Sequence, residues 1–450
     1  MALFSRATES GDALHEEGLP PPTTSDEAED LAALVESSTE ADENGNLLDE
    51  TLNFRLPGAD NRERALPVRQ GDLTRLLLAE PGLTADERDK LNRFGRLLGE
   101  LFHSEFYDKL RELKELYAPL DPDSDYVEIE DHSRPRTANS DETFLGPFEA
   151  ALMRANYRSL DLKVIEQAVT APNEAGLTYV PDFSLFEHMK VYVRGFTRVT
   201  RECRTVKTRF FKRLATFDAY QRMVVVLKFK EGRKLGPLVR SDVLYLRMFK
   251  DVPHVDMEMH LPEQGTRVKM RWIDKAQIAS PLVMGIPTLL AKVLLATFIS
   301  PLALGGLMVA PITAGVNSFF GFQRAKQKHL YEMIYRLYYL TLANNSSVLT
   351  RAIDSAEDEE YKESMLAYFF LWRGNGEGRP WEPSRLDQHI EQYLLEKTGV
   401  EINFEVSDAL GKLFTLGLAK SDGEGFLQAV SLDDALLVLN QRWDKTFSNP

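Results

Sequence analysis

Ile278 to Phe322 reads IASPLVMGIPTLLAKVLLATFISPLALGGLMVAPITAGVNSFFGF, 45 residues with a single formal charge, Lys292. A helix needs about 20 apolar residues to cross the hydrocarbon of a bilayer, so this length predicts two crossings and a tight turn. Proline ends a helix near the preceding residue, which puts the turn at Ser300-Pro301 and the spans at about 278–299 and 302–322. A single crossing over Val293–Val316 would leave the apolar stretch before Lys292 without cover. A buried hairpin in a soluble core is the other competitor, and it would need protein on every side. Arg267, Lys269, Arg271 and Lys275 lie upstream, and Arg324, Lys326 and Lys328 downstream. Cations gather on the cytoplasmic side, so the expectation is a two-span, multi-pass membrane protein with both termini cytoplasmic.

Within that segment Lys292 is an intramembrane charge, and an oligomeric small-solute or ion conduit built around it is one alternative function. Gly306, Ala310, Ala314 and Ser318 recur every fourth residue, giving a smooth stripe for transmembrane helix packing. The stripe suits the first span as well as it suits a homo-oligomer.

Working outward, residues 66–171 predict helices, with Leu97, Leu98, Leu101, Phe102, Phe106, Leu110 and Leu113 at three-to-four spacing. One further helical stretch is expected over 143–170. Residues 172–275 change texture: Phe183–Val199, Val206–Lys212, Tyr220–Lys230 and Val243–Phe249 alternate apolar with basic residues. That pattern predicts an antiparallel sheet with one wet face. Residues 190–240 hold fifteen Lys/Arg against three acids, net +12. Arg194, Arg198, Arg201, Lys207, Arg209, Lys212 and Arg213 are therefore candidate contacts for anionic lipids. Nucleic acid, or the chain's own acidic N-terminal segment, could meet the same charges.

After the apolar segment, 323–344 and 346–373 predict helices and 374–384 a linker. Residues 385–450 follow the order of a winged-helix-like domain: a helix, a short strand at Glu401–Phe404, a helix at Ser407–Gly417, a wing turning at Asp422-Gly423, and a last helix. Residues 385–445 carry eleven acids against six bases, and the presumed recognition helix offers only Lys412. DNA is thus an unlikely partner for it and a protein partner the better one.

The net charge of −15 is concentrated: residues 1–60 carry −13 and the other 390 carry −2. Residues 1–65 are expected to be a disordered acidic tail. The opening MALFSRATESGDALHEE lacks the apolar core of a secretory signal. One cysteine, Cys203, makes no internal disulfide and fits a reducing compartment. GxSxG, GxxxxGK[ST], HExxH and paired CxxC motifs do not occur. No catalytic, cofactor-binding or metal residues are nominated. His254, Asp256, Glu258 and His260 would share one side of a strand, but Pro253 and Pro262 bracket them and favour a turn.

Several ordered stretches carry a family resemblance: LRMFKDVPHVDMEMHLPEQGTRVKM (246–270), the apolar hairpin, GFQRAKQKHLYEMIYRLYYLTLANNSSVLTRAID, EYKESMLAYFFLWR, and NFEVSDALGKLFTLGLA followed by Trp443-Asp444. Together they resemble the membrane family of unknown function that includes transmembrane protein 143 of animal mitochondria. The resemblance implies an α+β membrane protein with soluble regions on both sides of the hairpin. The absence of a mitochondrial-type presequence points to a bacterial inner-membrane member. The functional expectation is a membrane-anchored, non-enzymatic lipid-surface and protein-interaction scaffold, with a membrane-associated enzyme as the remaining alternative.

Overall fold

Leucines and phenylalanines at helical spacing form α1 (Gln70–Leu78) and α2 (Ala85–Tyr117). The start of α2 is fixed by a capping box, in which the Thr84 hydroxyl accepts the Glu87 N–H and the Glu87 carboxylate accepts the Thr84 N–H. Its apolar stripe, including Leu91, Phe94, Leu98, Phe102 and Phe106, is buried in the same core as α5 (Ser346–Gly376). Gly95 permits that approach, because a Cβ there would stand 2.8 Å from the Tyr361 hydroxyl.

The computed structural model describes residues 62–125, 140–170, 178–203, 213–232, 239–253, 266–269, 327, 331, 337–376, 381–422 and 425–448. All belong to one unit, Arg55–Pro450. The single helical stretch expected over 143–170 is instead α3 (Ser140–Arg154), strand β1 (Arg158–Leu160) and α4 (Leu162–Thr170). Asn156 takes a left-handed φ of 62°, which stops α3 and frees β1 to pair with Val191–Val193.

The remaining strands are β2 (Thr178–Pro181), β3 (Phe186–Cys203), β4 (Arg213–Phe229), β5 (Tyr245–Pro253), β6 (Thr266–Lys269) and β7 (Thr341–Asn344). The main sheet is antiparallel throughout, in the order β1-β3-β4-β5-β7, while β2 pairs with β6. The strand expected at Val206–Lys212 lies outside the described residues. The helix expected through residue 344 gives way to β7, because this segment adds an edge to β5. Asn345, at φ 48°, then turns the chain into α5 while its side-chain carbonyl accepts the Leu246 N–H at 3.2 Å.

The expectation of one wet sheet face is corrected. Tyr192, Val224, Val226, Leu246 and Met248 pack into the helical core. On the opposite face Val191, Val193, Met223, Val225, Leu227 and Phe249 form a second apolar cluster with Ile165. Alternation along β3 therefore separates two buried faces, and Lys190 and Arg194 fall in phase with Tyr192 on the helical side.

The C-terminal elements are α6 (Pro383–Thr398), α7 (Val406–Leu416), a wing of β8 (Ala419–Ser421) and β9 (Leu427–Ala429), and α8 (Leu432–Ser448). Trp381 bridges to Leu427 beside the wing. Leu366 and Phe369 of α5 share one core with Leu386, Ile390, Leu410 and Leu413.

The two-span membrane reading is overturned. Among the described residues no helix is long and apolar enough to cross a membrane. The two longest, α2 and α5, have the length but not the composition: α5 carries Asp354, Glu357, Asp358, Glu359, Glu360, Lys362 and Glu363 in under three turns. The fold class is α+β with an antiparallel sheet, and the multi-pass, inner-membrane placement is withdrawn with the spans. Residues 278–322 lie outside the described residues, and with them Lys292, Gly306, Ala310, Ala314 and Ser318.

Candidate functional site

The middle of α5 concentrates charge where little is expected. Glu359, Glu360, Lys362, Glu363 and Ser364 are all buried, Glu359 completely. Charged side chains are seldom inside a protein unless paired and hydrogen-bonded, so their partners define the site.

Those partners come from five parts of the chain. The first is a strap, residues 62–68, that precedes α1. The Leu66 N–H donates to Glu359 Oε2 at 2.9 Å, and Lys362 Nζ donates to the Leu66 carbonyl at 2.8 Å. Lys362 also contacts Glu359 Oε1 at 2.8 Å and Asp358 at 2.9 Å. The second is Asn156, beyond α3, whose amide donates to Glu363 Oε1 at 3.1 Å, with 3.4 Å contacts to Glu359 and the Arg64 carbonyl. From β3, Arg194 lies 3.7 Å from Glu359 and donates to the Ala155 carbonyl at 3.1 Å. Arg154, ending α3, stands 3.3 Å from Glu360. Finally Lys412 of α7 binds Glu363 at 2.8 Å and lies 4.0 Å from Glu360.

Burial pushes the Glu360 carboxyl above the ordinary carboxylate range, against the pull of Lys412 and Arg154. Burial likewise raises Glu363, against the pull of Lys412. The Ser364 hydroxyl is buried without a hydrogen-bond partner among the described residues. Chemically the cluster is a set of mutually engaged acids and bases that fixes the strap backbone, the Asn156 turn and three elements around α5.

The strap is tied at its other side to the C-terminal unit and to the sheet. Glu63 forms a parallel bridge with Ile402, and its carbonyl accepts the Asn403 N–H at 2.7 Å. Its carboxylate accepts the N–H groups of Arg64, Ala65 and Phe196 at 2.9 to 3.0 Å. Phe196 follows Gly195, whose φ of 72° and 2.7 Å clearance to Gln221 suit only glycine. Residues 62–65, expected in a disordered tail, are thus packed, because Glu63 and Ala65 find buried partners. Residues 1–61 lie outside the described residues.

Among the candidate lipid contacts, Arg194 is turned inward as above. Arg198 is exposed and sits 3.4 Å from Asp218. Arg201 and Arg213 stand on β3 and β4, and Lys207, Arg209 and Lys212 lie outside the described residues, as do His254, Asp256, Glu258 and His260. Two more cations of the basic stretch face helix α3: Lys190 binds Glu149, and Lys228 binds Asp141 and, at 3.2 Å, Glu187.

Asp141, Glu187 and His188 offer ligand atoms within 4.8 Å of one another. The Lys228 ammonium already stands among them, on Asp141 and Glu187, where a metal ion would have to sit. That cluster is therefore read as a pin between helix and sheet.

The α5 acids were not among the sequence-derived candidates. A cue existed: the run EDEEYKE leads directly into SMLAYFFLW, which is apolar all round. A helix apolar all round is buried, and buried neighbours one turn earlier follow.

A DUF3754 domain, described as a protein of unknown function, is found at residues 220–347, from β4 through β7 to the first turn of α5. No solved structure matches the chain.

Proposed function

We propose that the chain is a non-enzymatic interaction scaffold whose C-terminal winged-helix-like unit recruits a protein partner. The observation that carries this is the placement of Lys412. It is the one basic residue of α7, the helix that would read DNA, and its ammonium is bound inward to Glu363 at 2.8 Å. What α7 leaves exposed is Ser407, Asp408, Gly411, Phe414 and Thr415, an acid and an aromatic without a cation. Phosphate binding depends on displaced counterions and hence on presented Lys or Arg, whereas an exposed aromatic beside polar residues suits a protein contact.

The test uses the full chain. Titrated against labelled duplex DNA at physiological salt, it should bind no tighter than general non-specific contact, about 10⁻⁴ to 10⁻⁶ M. A photo-crosslinker placed at Phe414 should capture a protein whose purified form binds the chain directly and loses binding to Phe414→Glu. Tight DNA binding that falls with Lys412→Gln would overturn the reading.

Kinship with the family that includes transmembrane protein 143 is proposed to extend past residue 347, supported by the ordered motifs at EYKESMLAYFFLWR and NFEVSDALGKLFTLGLA.

A further inference from the structure

We infer that the seat of the strap on α5 and the C-terminal unit is an exchangeable peptide site, filled by the chain's own residues, which accepts an Arg-Glu-Arg-Ala-Leu segment from a partner protein. The inference rests on the protein-partner reading above and names the partner's chemistry.

Three layers of contact support it. Deepest, the Glu359–Lys362 pair bonds both the N–H and the carbonyl of Leu66. A buried ion pair is a costly way to hold two elements together, since apolar residues of similar size often do so as well. Charges that bond a main-chain donor and acceptor instead recognise backbone whatever side chain it carries. Next, Ala65 and Leu66 are buried at 5% and 4% exposure, supplying apolar anchoring. At the rim, side chains give selectivity. Arg62 Nη1 reaches both Glu391 oxygens at 3.1 and 3.0 Å while its Nη2 reaches Asn403 at 3.3 Å. Arg64 meets Glu405 at 2.6 Å.

These two arginines flank Glu63, the residue that bridges to Ile402, and both reach acids of the C-terminal unit. Both remain partly exposed, at 40% and 34%, so their ion pairs can break in water. The parallel bridge from Glu63 to Ile402 adds the strand-addition geometry common in peptide recognition. A tethered occupant competes at an effective concentration on the order of millimolar, so a free peptide should bind the intact chain weakly and gain when the strap is loosened.

The experiment titrates a fluorescent peptide of sequence Asn61–Arg69, NRERALPVR, into the full chain. Arg62→Ala with Arg64→Ala in the chain should tighten peptide binding at least about tenfold over wild type. Adding Glu391→Ala and Glu405→Ala should remove that gain. In the wild-type chain, hydrogen exchange should show the Leu66 amide opening while α5 amides stay protected. Failure of the folded double variant to bind peptide would overturn the inference, as would exchange of Leu66 only through global unfolding. Either result alongside a partner crosslinked at Phe414 would remove the strap site and leave the scaffold reading standing.

Discussion

Two seams of the molecule are built from acids and bases, and they use them differently. Around α5, Glu359 and Lys362 are essentially solvent-free and bond the backbone of Leu66. Between α3 and the sheet, Asp141, Glu149, Lys190 and Lys228 bond one another through side chains and keep 12 to 41% exposure. The first arrangement fixes where a strand of chain runs. The second only fastens a helix to a surface, and water screens part of it.

The widest gap between the seams should appear on removing one cation from each. Lys362→Met takes the close ammonium from both Glu359 and the Leu66 carbonyl, leaving a solvent-free carboxylate with Arg194 at 3.7 Å, and should lower unfolding free energy by about 3–5 kcal/mol, read from the urea midpoint. Lys228→Met removes the ammonium from Asp141 and Glu187, but His188 remains 3.7 Å from Asp141. Its cost should be about 1–3 kcal/mol. Equal losses at the two positions would erase the distinction.

Proton linkage sharpens the contrast. Burial raises Glu360 and Glu363, so the folded α5 seam holds protons more tightly than the unfolded chain. Their contribution is full below the ordinary carboxylate value and is lost as pH rises through the raised values. Glu149 behaves oppositely: burial alone would raise it, but hydrogen bonds from Lys190 and Tyr192 outweigh burial and lower it. Its contribution is present above the ordinary value and is lost as pH falls through the lowered one. Urea midpoints measured across the acid range should therefore flatten at the upper end in Glu360→Gln and at the lower end in Glu149→Gln. The smallest effect is expected at Arg198, exposed and paired with Asp218, where Arg198→Ala should change stability by under about 0.5 kcal/mol.

The contrast also explains what could be read from the chain beforehand. The helices of 70–117 and the helices and wing from 383 to 448 follow from local spacing and turn residues, which report on a single element, whereas the strand expected at Glu401–Phe404 is only a bridge from Ile402 to Glu63. The alternation of Lys190, Tyr192 and Arg194 is equally plain, but period two says only that two faces differ. It does not say that the charged side meets Glu149 and Glu359 instead of water. The strap was hidden for a related reason. Its residues Arg62 to Ala65 look like the end of an acidic tail, and the carboxylate that bonds Leu66 lies 293 positions downstream. The apolar stretch 278–322 dominated the reading because lack of charge is the strongest local cue for lipid, whereas no described helix meets that requirement.

The account depends on Lys412 being spent inside the protein. The most direct measurement is a double-mutant cycle in urea with Glu363→Gln, Lys412→Met and both together. It should return a coupling of at least about 1 kcal/mol, as residues in one buried network do. A coupling indistinguishable from zero would mean that Lys412 is free to face a ligand, and would contradict the protein-binding assignment of α7.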